Sequence, residues 1–371
     1  MKKYLILVLT TVLFYSCNIS ESNKEPNSIG RTPIMQIETS ESDYISLLEN
    51  KLTDFSVPCR VIYLNRVYNG KISASGAGSR YHEKWGYKVK LEPGEYLQGL
   101  NEFNLSSQIY DKTGLSLVIA SQMYSNLGFP VSRGYNVFVK FNGKDKGLYP
   151  VIERVEEQFF ADRLMSVNEL YKIGFETKFT FASSYIPEYN IEKKIPDDNN
   201  FNSLKNMINA IDTSDLTTGY LGLNKYLDVI NYIKYHAMTV ILNNQDAFTN
   251  NFFLYKAKPN SPFTVIPWDF DKCFIGNVGL YGENEIIKKI KSHPITKKIY
   301  LETLKRILTN NFTESEVFYI IDTYARGIKD AYENDPYLGK NGYNFNDEIN
   351  KLKQYILQRR NFLLNQIELE N

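Results

Sequence analysis

Asn243-Asn244-Gln245-Asp246-Ala247-Phe248-Thr249-Asn250-Asn251 and, downstream, Ile266-Pro267-Trp268-Asp269-Phe270-Asp271 are the segments on which the fold turns. Between them, apolar Phe252 to Lys256 and Phe263 to Pro267 flank Ala257-Lys258-Pro259-Asn260-Ser261-Pro262, a turn-forming run that makes the whole a β-hairpin. Symmetric pairing about that turn sets opposite one another positions whose numbers sum to about 519, so Asn251 lies beside Trp268 and next to Asp269. Asp246 precedes Asn251 by one short loop. A carboxylate and an amide oxygen therefore meet at the open end of one hairpin. Such hard oxygens suit Mg²⁺, which takes one or two carboxylates and leaves its other positions to water and phosphate oxygens.

Outward from this point the chain divides. Upstream of the polar loop, Leu227, Ile230, Ile233, Ala237, Val240 and Ile241 form one apolar stripe, so a buried helix delivers the loop. Further on, Thr313-Glu314-Ser315-Glu316 is a capping box, and Ile349, Leu352, Ile356, Leu363 and Ile367 mark a closing helix. The first half reads differently. Val57 to Tyr63 and Tyr87 to Leu91 alternate as half-buried strands do, and Tyr135 to Phe141 with Gly147 to Glu153 flank Asn142-Gly143, a hairpin turn. Pro150 implies an edge or a bulge in the second arm. One helix, Leu115 to Leu127, interrupts the strands and ends at Gly128. This layout predicts a two-lobed α+β fold, with an N-terminal lobe at about 44–180, a helical C-terminal lobe at about 181–371 and a ligand in the cleft between them.

Composition narrows the function. With 371 residues, 43% hydrophobic content and a formal charge of +1, the chain can bury a large core and carries no global field that would favour nucleic acid. Its 28 Tyr and 22 Phe are spread without a repeat, as core and groove residues are. His82, His236 and His293 lack zinc spacing. Cys59 and Cys273 either pair or stay as buried thiols; spacing does not choose.

The N-terminus is a targeting segment. Met1-Lys2-Lys3, the apolar run Tyr4 to Tyr15 and Ser16-Cys17 resemble the signal and lipobox of bacterial lipoproteins. On that reading residues 1–16 are removed, Cys17 carries lipid, and 17–43, rich in Ser, Asn, Glu and Pro, is a flexible tether. The domain from 44 to 371 would then hang in the cell envelope, periplasmic or surface-exposed, from the outer membrane.

An Asp, a short spacer, an Asn, a strand pair and a second Asp also occur in order in protein-kinase centres, yet this chain has no His-Arg-Asp, Asp-Phe-Gly or G-x-G-x-x-G phrase. It resembles instead the CotH kinase family of atypical kinases. The matching residues are Ser79-Arg80, Lys84 and Tyr87 to Leu91; Asn142-Gly143 and Gly147-Leu148-Tyr149; Glu153-Arg154-Val155; Leu170-Tyr171-Lys172; Asp246 with Asn250-Asn251; and Pro267 to Asp271. The set runs in one order over about Ile72 to Gly276. Phe274-Ile275 before Gly276 departs from the usual early glycine.

The resemblance implies an ATP-dependent transfer to Ser or Thr hydroxyls of envelope or secreted proteins, with Mg²⁺ or Mn²⁺ as cofactor. Asp246 would orient or deprotonate the acceptor, and Asn251 and Asp269 would hold the metal. Asp271 is either a second metal ligand or a solvated neighbour. One of Lys84, Lys88 and Lys90 would meet phosphate, Arg80 is suited to bidentate phosphate contact, and Glu153 either anchors the lysine or nucleotide or makes a structural ion pair with Arg154. Lys172 is a weaker match. The Gly/Ser stretch 73–79 either covers the phosphates or is an ordinary hairpin turn. Two rival classes use the same residues: a non-catalytic surface-binding module that keeps the fold, and a metal-dependent hydrolase.

Overall fold

A computed structural model describes residues 27–174, 177, 179, 187, 190–213 and 222–370. The signal segment, Cys17 and the tether up to residue 26 lie outside the described residues; the lobe boundary expected near 180 falls earlier, because residues 169–173 already pair with residues 252–256 of the second half.

The first half is built from β1 (Ser28–Ile29), β2 (Thr32–Glu38), α1 (Glu41–Glu49), β3 (Ser56–Tyr63), β4 (Arg66–Ser75), β5 (Gly86–Leu91), β6 (Glu102–Leu105), α2 (Ser116–Asn126), β7 (Gly134–Phe141) and β8 (Lys144–Glu153). The strands pair in the order β2-β3-β4-β5-β6-β8-β7, and β7 returns to pair with β2 in parallel, Ile34 opposite Phe138 and Ile37 opposite Phe141. The sheet therefore closes into a seven-stranded barrel with β1 appended. Period-two alternation fills it: Met35, Ile37, Val61, Ile72, Val89, Phe103, Val139 and Val151 all point inward and are fully buried. At the Asn142-Gly143 turn both residues have positive φ, +46° and +75°, as a type I′ turn requires. Pro150 sits where β6 has ended: the Ser106 N–H donates to its carbonyl, and the bulge itself falls at Val139/Lys140 on the partner strand.

One expectation is corrected here. Residues 28–42, assigned to the tether by composition, instead supply β1, β2 and the start of α1. Ile34, Met35 and Ile37 are buried, and burying them on both faces of β2 outweighs the polar flanks.

The second half comprises α3 (Glu157–Ala161), β9 (Glu169–Ile173), β10 (Ile191–Ile195), α4 (Asn202–Thr213), α5 (Val229–Leu242), β11 (Phe252–Lys256), β12 (Thr264–Pro267), α6 (Glu285–Ser292), α7 (Pro294–Asn310), α8 (Glu314–Asn334) and α9 (Phe345–Glu370). An antiparallel sheet of order β10-β9-β11-β12 carries the hairpin. Its register is the one read from the sequence, with Phe252 opposite Pro267 and Tyr255 opposite Thr264. Thr313 caps α8 by accepting from the Glu316 N–H. The helices and the outer face of the barrel share one core, which α2 joins through Leu117, Ile119 and Met123. Cys59 lies inside the barrel and Cys273 in this second core, and both are free. Among the described residues no helix is long and apolar enough to cross a membrane.

The lobes are pinned together by a buried ion pair. Asp335, at the C-terminus of α8, accepts from Lys84 Nζ (3.1 Å) and the Leu148 N–H (2.6 Å) with one oxygen, and from the Tyr337 and Leu338 N–H groups with the other. The rings of Tyr149 and Tyr337 flank the ammonium. A Cβ at Gly147, whose φ is +92°, would run into the Asp335 carboxylate, so the approach requires glycine there.

Candidate active site

Helix α5 ends at Asn243, a buried residue in left-handed geometry (φ +53°) whose side chain accepts from the Val278 N–H and donates to the Ile275 carbonyl. From this cap the chain turns through a short 3₁₀ segment, Gln245–Phe248, into β11. Tyr235 OH holds the Ala247 carbonyl at 2.7 Å, and Asn284 Nδ2 holds the Phe248 carbonyl at 2.7 Å. On the return strand, Asn244 Nδ2 donates to the Asp269 carbonyl at 3.1 Å. The rings of Tyr124, Tyr235 and Phe270 pack beneath, pairs of a kind that add about 0.5–1.5 kcal/mol each beyond their burial. Phe274 takes the left-handed φ (+65°) ahead of Gly276 (+82°), so the departure at Phe274-Ile275 is absorbed by a strained but packed residue.

The two loops present Asn251 and Asp269, both at φ +57°, to a cleft of about 450 Å³ between the barrel and the β9–β12 sheet. Asn251 Nδ2 donates to Asp246 Oδ2 at 2.9 Å, and Lys272 Nζ meets the same oxygen at 3.0 Å. Asp246 does not line the cleft; it reaches it through Asn251. Lys88 from β5, Arg154 and the loop Ser75 to Ser79 with Arg80 line the barrel side, and Lys172 from β9 lines the cleft from the same sheet as the hairpin. Neither Lys88 nor Lys172 has an ion pair or hydrogen-bond partner among the described residues.

Charge in this cleft is unbalanced. Burial, and next the charge of Asp246, hold the Asp269 carboxyl above the ordinary carboxylate range, against the pull of Lys172 and Lys272. Asp271 is pushed up to about 8, by burial first and then by Asp269. Burial likewise holds the Lys172 ammonium below its usual value. Burial lowers Lys272, but the hydrogen bond and charge of Asp246 together with the charge of Asp271 move it up. Each carboxylate here would ionise more readily beside a cation, and each lysine beside an anion.

Among the described residues no three His, Cys, Asp or Glu side chains converge as a protein-only metal cage would need. The residues fit a different arrangement: Asp269 with the Asn251 amide oxygen, completed by phosphate and water, which is how Mg²⁺ is commonly held.

A family model described as CotH kinase protein matches residues 72–363. This chain belongs to the CotH kinase family. Across 354 residues it is 24% identical to the inner spore coat protein H of Bacillus subtilis (strain 168), covering 91% of this chain and 98% of that one. Solved structures similar to it include the proinflammatory kinase CtkA of Helicobacter pylori, at 11% identity over 84% of this chain and 93% of that chain. The Golgi casein kinase is similar at 10% identity over 89% and 77%. Both have TM-scores of 0.32, a level at which no residue's role is transferred.

Against this CotH-family site, the residues expected from sequence separate into two groups. Asn251, Asp269, Lys88 and Arg80 come together at the cleft, with Asp246 behind Asn251 and Asp271 electrostatically coupled to Asp269. Lys84 does not reach it, being committed to Asp335. Lys90 shares the Lys88 face of β5 but is mostly exposed and pairs with Glu102 at 3.4 Å, outside the cleft. Glu153 is also removed from the list of cofactor contacts: it is buried between Arg133 (2.7 Å) and Arg163 (2.6 Å), which lower its pKa despite the burial. Arg154 pairs instead with Glu102 and Glu156. Arg80 spends its guanidinium on the carbonyls of Gly76 and Thr53, so it buttresses the loop that overhangs the cleft. That loop joins β4 to β5 through residues 76–85 and is no tight hairpin turn. Lys272, which sequence reasoning passed over, directly follows the Trp268 to Asp271 run, and that proximity was its only signal.

Proposed function

We propose that this CotH-family chain transfers the γ-phosphoryl group of ATP to Ser or Thr hydroxyls of envelope or secreted proteins, using Mg²⁺ or Mn²⁺. The observation that carries this reading is the pair of ammonium groups, Lys88 and Lys172, without an ion-pair partner among the described residues, in one cleft with a half-buried Asp269. Bound ATP with its cation supplies the transferable group and neutralises charge on the phosphates. Lys88 and Lys172 would hold phosphate oxygens as point charges, and the Ser75 to Ser79 loop would close over them. Because Asn251 Nδ2 is bound to Asp246, its Oδ1 is the end free to join Asp269 on a cation. Asp246 Oδ2 is occupied by Asn251 and Lys272, which leaves Oδ1 to accept the proton of an incoming hydroxyl. Positioning and charge neutralisation carry most of the rate in such transfers.

The test is label transfer from γ-labelled ATP with each metal, comparing the wild-type chain with Asp246→Ala and Asp269→Ala. Label on protein that both substitutions abolish supports transfer. Label released only as free phosphate favours a hydrolase, and equal label in all three proteins removes the reading. The envelope location belongs to the same proposal and rests on Ser16-Cys17: incorporation of labelled fatty acid should vanish in Cys17→Ala.

A further inference from the structure

Beyond the phosphate-facing residues, the cleft runs along the outer face of the barrel. The strand registers set Ser73, Lys88, Asn104 and Ile152 in one row across β4, β5, β6 and β8. Adjacent strands lie about 4.8 Å apart, so Asn104 stands one spacing and Ile152 two from Lys88. Leu117, Ser132 and Phe270 line the same cleft as Asn104 and Ile152.

Two polar atoms here are closed off from solvent and have no partner: Asn104 Oδ1 and Ser132 Oγ. Neither atom of the Asn104 amide makes a hydrogen bond among the described residues. Leaving a buried polar atom unbonded costs about 1–3 kcal/mol, and two such atoms on residues that line one cavity mark a place where a ligand supplies the missing bonds. Leu117, Ile152 and Phe270 supply apolar surface of the kind the faces of a flat ring require. A side-chain amide presents an acceptor and a donor side by side, the complement of the amino group and neighbouring ring nitrogen of adenine.

We propose that Asn104 and Ser132 read the base of the nucleotide and select adenine. This rests on the nucleotide reading given above and adds to it the residues that set base preference. A base lodged between Asn104, Ile152 and Ser132 sends its phosphates along the row toward Lys88 and the Ser75 to Ser79 loop.

The test is calorimetric titration of the purified chain with Mg²⁺ and ATP, GTP, CTP or inorganic tripolyphosphate, for the wild type, Asn104→Leu, Asn104→Asp and Ser132→Ala. The wild type should prefer ATP. Asn104→Leu should weaken ATP by about tenfold or more, the value of one good amide–base pair, and leave tripolyphosphate affinity within about twofold. Asn104→Asp should narrow the ATP-to-GTP ratio, and Ser132→Ala, the milder change, should weaken ATP without altering the melting temperature. ATP affinity unmoved in Asn104→Leu and Ser132→Ala, with tripolyphosphate still bound, would place the base elsewhere and overturn the assignment alone. A wild type that binds neither ATP nor tripolyphosphate would remove the nucleotide reading and this inference with it.

Discussion

Lys84 is buried and Lys172 half-buried, and burial holds both ammonium groups below their usual pKa, yet their surroundings differ. Lys84 has Asp335 at 3.1 Å, two aromatic rings beside it and no access to the cleft. Lys172 has no ion pair among the described residues, and it feels only the longer-range charges of Glu192, its neighbour on β10, and then of Asp269. The first charge is answered inside the protein and acts as a strut between the lobes. The second waits for an anion. Buried charges that a fold does not neutralise are destabilising on their own account, so their persistence at a cleft points to a ligand.

Breaking the strut should have the largest effect. Asp335→Ala leaves the Lys84 ammonium buried and takes the carboxylate from the Leu148 and Tyr337 N–H groups, and should cost about 3–5 kcal/mol of stability, read by denaturant titration. Replacing both partners by apolar residues should recover much of that loss. At the cleft the same kind of substitution should act on rate instead. Asp269→Ala should lower phosphoryl transfer by about 10²–10³-fold while the melting temperature holds or rises, since a half-buried carboxyl with no ion pair among the described residues is removed. Lys172→Met should weaken ATP binding by about 1.5–3 kcal/mol without loss of stability, and a fall in melting temperature matching Asp335→Ala would erase the contrast.

The pH response sharpens it further. Asp271 titrates at about 8 in the folded chain and near 3.9 unfolded, so the folded state binds the extra proton and stability falls as pH rises between those values. His236, buried and pushed down to about 3, acts oppositely between about 3 and 6.5. The two offset up to about pH 6.5. From there to about 8 the metal-free protein should lose up to about 1.4 kcal/mol per pH unit, and saturating Mg²⁺ should flatten that slope by favouring ionised carboxylates. A slope unchanged by Mg²⁺ would count against a cation at Asp269. The smallest effect is expected at Lys90→Ala, where an exposed pair with Glu102 is lost: stability and ATP affinity should stay within about 0.5 kcal/mol.

Local pattern carried the hairpin. Its register, and with it the meeting of Asn251 and Asp269, follows from a turn and two apolar runs that lie within one short segment. The choice among Lys84, Lys88 and Lys90 was out of reach, because the partner that removes Lys84 from the site is Asp335, 251 residues away. Glu153 misled for the same reason: Arg163 and Arg133 reach it from a helix end and a loop, whereas its chain neighbour Arg154 turns away. In β2, Ile34, Met35 and Ile37 were a visible signal that the polar composition around them concealed. The parallel seam between β2 and β7 had no local signature at all.

That seam gives the first described residues an unexpected duty. A chain trimmed to begin at residue 44 would lose the stave that joins β3 to β7, and two open strand flanks would be left ready to stick to other molecules. Anyone shortening this protein for crystallisation or for a soluble form should cut before Asn27.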